Sequence, residues 1–578
     1  MVETNVVVEE PSSAPAFAGP ERTAGQAVVE ALVAEGVDMV FGLPGSHVLT
    51  IYDALRDVPQ IKHITVKHEN NAALMADMYG RLTGRPGICL VTAGPGATNS
   101  LSGVVQAYDA ASPLIHVSGT VPTDSGVEEF HGVDVPDFLY KIFQDVTKWS
   151  VRVESVEDIP RVFAKAFALA VSDRPGPVHI EIPVDLLTDG PRAIPPYEPS
   201  PVEPLALAPD LAKEAAEMLR SAKEPLICIG YGLIRHNGSD ELVQLAERLG
   251  APVILTSYAQ GVIPSDHPLY ATHFSGWRKN PFSFRLMKEA DVLLTVGLRA
   301  GTYFAETVRQ HAPARHIFIG FDSEPNPLAG ATISAVADNR LALRALLAEL
   351  EDHHASADPQ RLAEIDRYRS GLRRLLDRQL DVVSSRRPLH FGLAMRELAA
   401  QVERDAIIVG DVGSCEIWAR SYLPYYSPTT YISPGHYGAM GFSVPGAIAA
   451  KLLYPDRQVI GVTGDGAFLM SCSDFVTAVQ YGAKVKIIIL NDSAYGMINV
   501  LQNWRFDRTY ATELGERNYA KLADSLGAVG IRVEDAGDMA EALRQALSVD
   551  APAIVDVVAG WDYPYPDYER MVAEIDQG

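Results

Sequence analysis

The chain has 578 residues, of which 47% are hydrophobic and 21% are charged, and its formal net charge is −24. This length allows about three domains of ordinary size, and the acidic excess without any Lys/Arg-rich run argues against nucleic acid or an anionic membrane surface as the main partner. No apolar run reaches membrane-spanning length, and the four cysteines are scattered without a CxxC pair, so neither a zinc site nor a disulfide framework is predicted.

The first 20 residues contain acids and prolines where a secretion signal would need a basic start and a long apolar core. We therefore expect a disordered N-terminal tail over residues 1–20 and a cytoplasmic location. Residues 21–190 follow as a first domain, in which the apolar runs "GICLVTAG", "PLIHVSG" and "PVHIEIP" are predicted strands.

The proline-rich stretch "GPRAIPPYEPSPVEP" separates the first domain from a second one over residues 204–350. The second domain has the strand-like runs "PLICIG", "PVILTS", "DVLLTVG" and "HIFIGFD", and its "GYG" at residues 230–232 is a weak nucleotide-binding signal because the full glycine fingerprint is missing. A charged linker over residues 351–388 leads to a third domain over residues 389–560 and a C-terminal tail over residues 561–578.

Strands alternate with helical segments in all three domains, which predicts three doubly wound α/β domains with mostly parallel sheets. In the third domain "RQVIGVT" and "KVKIIIL" are predicted strands, and "SDFVTAVQYG" between them is a predicted helix with Ser473 as N-cap and Gly482 as its stop. Such a βαβ unit has parallel strands. Asp465 and Asp492, which directly follow the two strands, should therefore lie at the same carboxyl edge of the sheet.

This carboxyl edge is where open α/β sheets bind ligands. Two carboxylates there, with Gly464 and Gly466 allowing close approach of the backbone, suit a hard divalent cation that carries a phosphate. A lone "GDG" is more often a simple turn, so the interpretation depends on the second acid, Asp492.

The combination of "GDG" with a later "ND", separated by a helix and a strand, resembles the thiamin diphosphate motif. In the first domain "KHENNAALMADMYGRLTG" with the later "GPGATN" resembles the pyrimidine-binding domain of the acetolactate synthase, pyruvate oxidase and benzaldehyde lyase superfamily. The resemblance implies pyrimidine-binding, central and diphosphate-binding domains in that order, with thiamin diphosphate and Mg²⁺ as cofactors. It also implies a homodimer or homotetramer with shared active sites, since in this family the pyrimidine domain of one subunit faces the diphosphate domain of another.

The same resemblance assigns roles to individual residues. Asp465, Asp492 and the backbone carbonyl of Ala494 would bind the magnesium ion, and Asp492 stands where many relatives have Asn. Glu69 would hydrogen-bond N1′ of the cofactor pyrimidine and so promote loss of the C2 proton. The remaining cofactor-binding positions are Gly413, Ser414, Met440, Gly464, Gly466 and Ala467, among which Met440 resembles the bulky apolar residue under the cofactor.

Three segments depart from the acetolactate synthase pattern. "FH" at Phe130 and His131 replaces "FQ", "RAGTY" at residues 299–303 replaces the Arg-containing "FDDR", and the Trp after "GMI" is missing. These changes leave the acceptor substrate open. FAD or ADP in the central domain is not favoured, although the "GYG" leaves it open.

Two histidines suggest a different substrate class. A His at the position of His47 resembles benzaldehyde lyase, and a His near position 131 is similar to the histidines of pyruvate decarboxylases. Two imidazoles could transfer the proton of a hydroxyl group as a C–C bond forms or breaks. A purely structural role stays open for both His47 and His131.

We therefore predict a thiamin diphosphate- and Mg²⁺-dependent enzyme, an acetolactate synthase-like 2-oxo acid decarboxylase and carboligase that acts on a small 2-oxo acid, aldehyde or hydroxy ketone. One alternative is a 2-hydroxy ketone or 2-hydroxyacyl lyase of the benzaldehyde lyase type. Another is an inactive homologue retained as a regulatory subunit, which loss of Glu69 or Asp465 would indicate; both residues are present.

Overall fold

The structure is a computed structural model that describes residues 17, 21–123, 130–133, 135, 137–256, 258–274, 280–299, 303–322, 330–561 and 565–577. The chain divides into two compact units, Met1–Glu203 and Pro204–Gly578. The predicted N-terminal tail, apart from Phe17, lies outside the described residues, and so does most of "RAGTY". Within the described part of the chain, no helix combines the length and the apolar character needed to cross a membrane.

The first unit contains one six-stranded sheet and one two-stranded sheet. The strands of this unit are β1 (Glu21–Arg22), β2 (Met39–Gly42), β3 (Lys62–Thr65), β4 (Gly87–Val91), β5 (Leu114–Thr120), β6 (Trp149–Arg152), β7 (Pro177–Pro183) and β8 (Arg192–Ala193). Its helices are α1 (Ala24–Ala34), α2 (Leu49–Arg56), α3 (Glu69–Thr83), α4 (Pro95–Asp109), α5 (Phe138–Gln144), α6 (Ile159–Val171) and α7 (Val184–Thr188), with 3-10 turns at Ser46–Val48 and Val156–Asp158. Six strands form a parallel sheet in the order β3-β2-β4-β5-β7-β6, and β1 pairs with β8 antiparallel.

The second unit begins with a sheet that corresponds to the predicted central domain. Its strands are β9 (Pro225–Ile229), β10 (Val253–Thr256), β11 (Tyr270–Phe274), β12 (Val292–Val296), β13 (Arg315–Gly320) and β14 (Ile333–Val336). The helices are α8 (Pro209–Arg220), α9 (Gly232–Arg235), α10 (Ser239–Leu249), α11 (Pro281–Glu289), α12 (Tyr303–His311) and α13 (Asn339–Glu349). The strands are parallel in the order β11-β10-β9-β12-β13-β14, and their apolar side chains are buried on both faces.

A 25-residue helix, α14 (Pro359–Val383), occupies most of the predicted linker. Its apolar residues recur every three or four positions, and Ile365, Tyr368, Leu376 and Leu380 are buried. The charges of this segment indicate a linker, but its apolar stripe allows it to form a helix that packs against the rest of the unit.

The third sheet follows α14. Its strands are β15 (Ile407–Gly410), β16 (Tyr431–Ile432), β17 (Val459–Gly464), β18 (Lys486–Asn491), β19 (Val529–Val533) and β20 (Ala553–Val558). The helices are α15 (Phe391–Ala399), α16 (Ser414–Tyr422), α17 (Ser443–Leu453), α18 (Asp465–Ser471), α19 (Phe475–Gln480), α20 (Gly496–Phe506), α21 (Tyr519–Ser525), α22 (Met539–Ser548) and α23 (Tyr568–Gln577), with 3-10 turns at Cys472–Asp474 and Ala536–Asp538. The parallel order is β16-β15-β17-β18-β20-β19. Helix α23 lies in the predicted C-terminal tail and packs against α14.

The crossover between β17 and β18 differs from the prediction in detail. It consists of α18, a 3-10 turn and α19 instead of one helix, and the residue before α19 is Asp474, which makes no side-chain capping bond. The prediction of Ser473 as N-cap is therefore wrong, because the chain is already helical from Asp465 onward. Gly482 does follow the end of α19 and has a positive φ of 64°.

The prediction of three doubly wound, mostly parallel α/β domains is confirmed, and the first and third sheets share one strand order. Counted from the first strand of each sheet, both read 2-1-3-4-6-5, whereas the central sheet reads 3-2-1-4-5-6. In the order 2-1-3-4 the direction of winding reverses between strands 1 and 3, and open α/β sheets bind ligands at this switch point. The switch points lie between β2 and β4 and between β15 and β17.

Candidate active site

The two predicted metal-binding aspartates lie at the ends of neighbouring strands. Strands β17 and β18 pair in parallel with Gly464 opposite Leu490, so Asp465 and Asp492 emerge at the same edge of the third sheet. Asp465 is 1% exposed, and its Oδ1 accepts a hydrogen bond of 2.9 Å from the Gly466 backbone N–H. Its Oδ2 is buried, and no described donor meets it with hydrogen-bond geometry, while the neighbouring Asp492 carboxyl lies near enough to share a proton with Asp465.

The electrostatics of this pair favour a cation. Burial raises the pKa of Asp465 to about 6. Removal from water raises the pKa of Asp492 as well, and the neighbouring Asp465 charge adds to this increase. Because both carboxylates lose hydration and repel each other, a divalent ion between them would offset both costs. The buried, unsatisfied oxygen of Asp465 therefore fits a metal ligand.

A metal ion at this edge would need more than side chains. Within the described residues no three or more His, Cys, Asp or Glu side chains form a metal-binding group. The backbone N–H of Ala494 donates a hydrogen bond of 3.3 Å to Asp492 Oδ1, which brings the predicted carbonyl ligand into the same turn. Mg²⁺ binds through one or two carboxylates and completes its coordination with water and phosphate oxygens, so two carboxylates suffice here if a phosphate is bound.

Gly496 allows the carboxylate of Asp492 to occupy its position. It is the first residue of α20, and a Cβ atom at Gly496 would lie 1.9 Å from Asp492 Oδ2 and 2.9 Å from the Cβ of Trp561. Any larger residue would therefore displace the Asp492 carboxylate.

Gly413, predicted to contact the cofactor pyrimidine, and Ser414, predicted to contact the diphosphate, lie at the switch point beside these acids. Gly413, which follows β15, has a φ of 122°, and a Cβ there would meet no atom within 4 Å. Ser414 begins α16, and its Oγ lies 2.7 Å from the hydroxyl of Tyr565. The sequence predicted Ser414 to face a diphosphate, and the structure adds Tyr565 as its protein partner.

The other predicted cofactor residues belong to segments around the same edge. Gly466 and Ala467 are in the first turn of α18, and Gly464 ends β17. Met440 is half-buried in the loop between β16 and α17, directly before Gly441, which has a φ of 87°. The structure thus gathers all of the third-domain candidates at one edge of one sheet.

Glu69 lies at the corresponding edge of the first sheet. It is the first residue of α3, and its Oε2 accepts a hydrogen bond of 3.0 Å from the Asn99 side-chain amide. A Cβ at Gly96 would lie 3.6 Å from Glu69 Oε1, so the "GPGATN" turn runs beside the other carboxylate oxygen. Asn99 belongs to that motif, and the sequence alone indicates no role for it.

His47 and His131 are brought together in the first unit. Their ring centroids are 5.3 Å apart, and Phe130 stacks over His47 at 6.4 Å. His47 is 2% exposed, and its Nδ1 is 3.0 Å from Ser46 Oγ. His131 has a φ of 65°, and a Cβ at Gly94 would lie 2.3 Å from its carbonyl oxygen, so the start of α4 can approach His131 only because residue 94 is glycine.

Sequence reasoning missed Asn99, Tyr565 and the buried Asp411, which contacts the Met440 loop. Each bonds to a candidate residue or its loop at least 30 positions away in the chain. The only sequence signal for Asn99 is its position in a glycine-rich turn after a strand, and Asp411 likewise follows the apolar run "AIIVG".

Three thiamine pyrophosphate enzyme domains match successive parts of the chain: the N-terminal TPP binding domain at residues 22–137, the central domain at residues 212–346 and the C-terminal TPP binding domain at residues 411–557. A probable acetolactate synthase large subunit of Methanocaldococcus jannaschii is 33% identical over 92% of this chain and 91% of its own length. The acetolactate synthase large subunit of Haemophilus influenzae is 33% identical, with coverage of 90% and 91%. The acetolactate synthase isozyme 3 large subunit of Escherichia coli is 32% identical, with coverage of 93% and 95%. The chain therefore belongs to the thiamin diphosphate-dependent enzyme family that includes the acetolactate synthase large subunits.

Proposed function

We propose that this acetolactate synthase-like enzyme is a Mg²⁺-dependent 2-oxo acid decarboxylase and carboligase. The observation that carries the proposal is the pair Asp465 and Asp492 at the carboxyl edge of the third sheet, one of them with a buried and unsatisfied oxygen. Thiamin diphosphate, when bound, supplies a nucleophilic carbon that adds to a carbonyl group. The names of the relatives support a 2-oxo acid as the substrate class.

Each of the candidate residues would have a distinct role in this reaction. Asp465, Asp492 and the carbonyl of Ala494 would hold the metal ion together with the diphosphate. Glu69 would hydrogen-bond the pyrimidine ring nitrogen and stabilise its protonated form. Asn99 holds Glu69 Oε2 at 3.0 Å, which fixes the carboxylate plane and leaves Oε1 for the cofactor.

The direct test is incubation of the purified protein with pyruvate, Mg²⁺ and thiamin diphosphate. Release of CO2 together with acetolactate supports the proposal, and CO2 with free acetaldehyde indicates decarboxylation without carboligation. Absence of both products across a panel of 2-oxo acids contradicts the proposal. An absorbance spectrum of the same sample tests for flavin in the central domain.

A second candidate function is favoured by the histidine pair. His47 and His131, with ring centroids 5.3 Å apart, could transfer the proton of a substrate hydroxyl group, which a 2-hydroxy ketone or 2-hydroxyacyl lyase requires. Cleavage of benzoin-like ketones or 2-hydroxyacyl compounds to aldehydes would identify this activity. His47→Ala and His131→Ala should then lower kcat about 100-fold or more while C2 proton exchange of the cofactor stays unchanged. Variants with wild-type kcat would remove the histidines from the mechanism.

We also propose a homodimer or homotetramer in which Glu69 of one subunit serves the diphosphate site of another. Mixing two inactive variants, Glu69→Gln and Asp465→Ala, tests this arrangement. If sites are shared between subunits, mixed dimers contain one intact site, and random reassembly restores roughly a quarter of the wild-type activity. If both residues of a site come from one subunit, mixing restores none.

A further inference from the structure

Asp411 is a buried carboxylate at the switch point of the third sheet. It directly follows β15 and is 0% exposed. Buried carboxylates are rare unless they are fully hydrogen-bonded, so its partners indicate what it holds.

Four donors converge on the Asp411 carboxylate. Oδ1 accepts hydrogen bonds from the backbone N–H of Val412 at 2.9 Å and of Gly441 at 3.0 Å. Oδ2 accepts from the backbone N–H of Ser443 at 2.9 Å and from the hydroxyl of Thr463 at 3.3 Å. Burial raises the pKa of Asp411 to about 6, and these four bonds oppose the increase, so the group is ionised at neutral pH.

The donors belong to three different segments of the chain. Val412 is in the loop that continues to Gly413 and Ser414. Gly441 and Ser443 flank the turn between Met440 and α17, and Thr463 is two residues before Asp465 on β17. These segments carry the residues proposed for the pyrimidine, the diphosphate and the metal.

We propose that Asp411 is a positioning residue that fixes its own loop, the Met440 turn and the end of β17 relative to one another in the arrangement that binds the cofactor. It is not one of the residues proposed to contact the metal or the diphosphate; it acts through Gly441, Ser443 and Thr463. The inference rests on the proposed function, because the three segments matter together only if they bind one ligand.

Asn is the sharpest replacement, since it has the same shape but only one accepting oxygen. In Asp411→Asn the amide nitrogen replaces one of the two accepting oxygens. It must then face two donors, either Gly441 and Val412 or Ser443 and Thr463, and the hydrogen bonds from that pair are lost. The control is Asp474→Asn. Asp474 is also 0% exposed, and its carboxylate accepts a bond of 2.8 Å from the hydroxyl of Thr477 in α19, so its replacement removes a buried carboxylate while the bonds from Gly441, Ser443 and Thr463 to Asp411 stay in place.

The measurement is the dissociation constant of thiamin diphosphate at saturating Mg²⁺, by calorimetry on the cofactor-free protein, beside the melting temperature of the same sample. We expect both variants to melt earlier without cofactor, and only Asp411→Asn to bind the cofactor at least tenfold more weakly. Equal affinity of Asp411→Asn and wild type overturns the inference. If wild type itself fails to bind thiamin diphosphate, the proposed function fails instead, so the two failures are distinguishable.

Thr463→Val provides the test if Asp411→Asn does not fold. It removes the hydroxyl that bonds to Asp411 and, at 3.1 Å, to the Gly464 carbonyl, and it keeps the shape of a residue that is 0% exposed. We expect a several-fold weaker affinity for thiamin diphosphate and an increased KM for the cofactor with kcat retained once the cofactor is saturating. Unchanged affinity and KM in a folded Thr463→Val protein would contradict a positioning role for Asp411.

Discussion

Replacing Gly496 with Ala should separate metal binding from folding. The added Cβ would lie 1.9 Å from Asp492 Oδ2, whereas a C···O contact is ordinarily about 3.3 Å or longer, so the oxygen has to withdraw by about 1.4 Å. Mg²⁺ requires oxygen ligands at about 2.0–2.1 Å and tolerates deviations of roughly 0.2 Å. A shift of this size removes that Asp492 oxygen from the coordination shell.

The same substitution should not harm the helix. Ala is no worse a helix former than Gly, and the atom that must move furthest is the mobile end of the Asp492 side chain, although the Cβ of Trp561 at 2.9 Å must also shift by a few tenths of an ångström. We therefore expect a melting temperature without cofactor only slightly below that of wild type. The affinity for Mg²⁺ with thiamin diphosphate should fall by about tenfold to a hundredfold, which corresponds to about 1.4–2.7 kcal/mol.

Titration of Mg²⁺ into the protein at a fixed thiamin diphosphate concentration, followed by calorimetry, measures this affinity. Asp492→Asn is the matched control, because its amide keeps an oxygen in place and leaves residue 496 as glycine; it should bind nearly as wild type does. A folded Gly496→Ala protein that binds Mg²⁺ and thiamin diphosphate with wild-type affinity would refute Asp492 as a metal ligand.

Three further predictions concern other parts of the molecule. Asp465→Ala should abolish cofactor retention on gel filtration, because the diphosphate charge then lacks its main metal ligand; retention at the wild-type level would contradict the metal site. Glu69→Gln should leave cofactor affinity intact but slow hydrogen–deuterium exchange at C2 by orders of magnitude, since a neutral amide cannot stabilise the protonated pyrimidine; an unchanged exchange rate would exclude Glu69. His390 is 1% exposed, caps α15 by accepting a bond of 2.9 Å from Gly392 N–H, and has its pKa lowered by burial to about 3. The buried imidazole must stay neutral in the folded protein. Its contribution to the free energy of unfolding is therefore complete above its unfolded pKa of about 6.5 and is lost as the pH falls toward 3. At pH 5 the free energy of unfolding should already be lower by about 2 kcal/mol. His390→Asn keeps a capping oxygen without titrating, so its melting temperature should fall less than that of wild type between pH 7 and pH 5; equal losses would show that His390 does not titrate as described.

The fold class and the family could be predicted because their signals are local. β-branched runs that alternate with helical segments indicate parallel sheets, and Asp465 and Asp492 could be assigned to one edge from the βαβ rule alone. The site residues remain predictions in their roles, although the structure gathers those of the third domain at one sheet edge and brings His47 beside His131.

What could not be predicted depends on contacts between distant parts of the chain. The bond from Asn99 to Glu69 joins residues 30 positions apart, and the bond from Ser443 to Asp411 joins residues 32 positions apart. A strand pattern does not reveal which two loops at the edge of a sheet contact each other. The long helix α14 was missed for a different reason, since its many charges concealed a narrow apolar stripe.

The parallel strand order also governs how the chain reaches its native state. Every neighbouring pair in the three six-stranded sheets is parallel, so no pair can form as a local hairpin. Lys486 in β18, for example, pairs with Ala553 in β20 only after α20, α21, β19 and α22 have been synthesised and placed. Pairings between such distant segments form slowly and leave strand edges and apolar faces exposed in the meantime. Recombinant production should therefore give more native enzyme at low temperature and low synthesis rate, where each nascent sheet has time to close before it meets another chain.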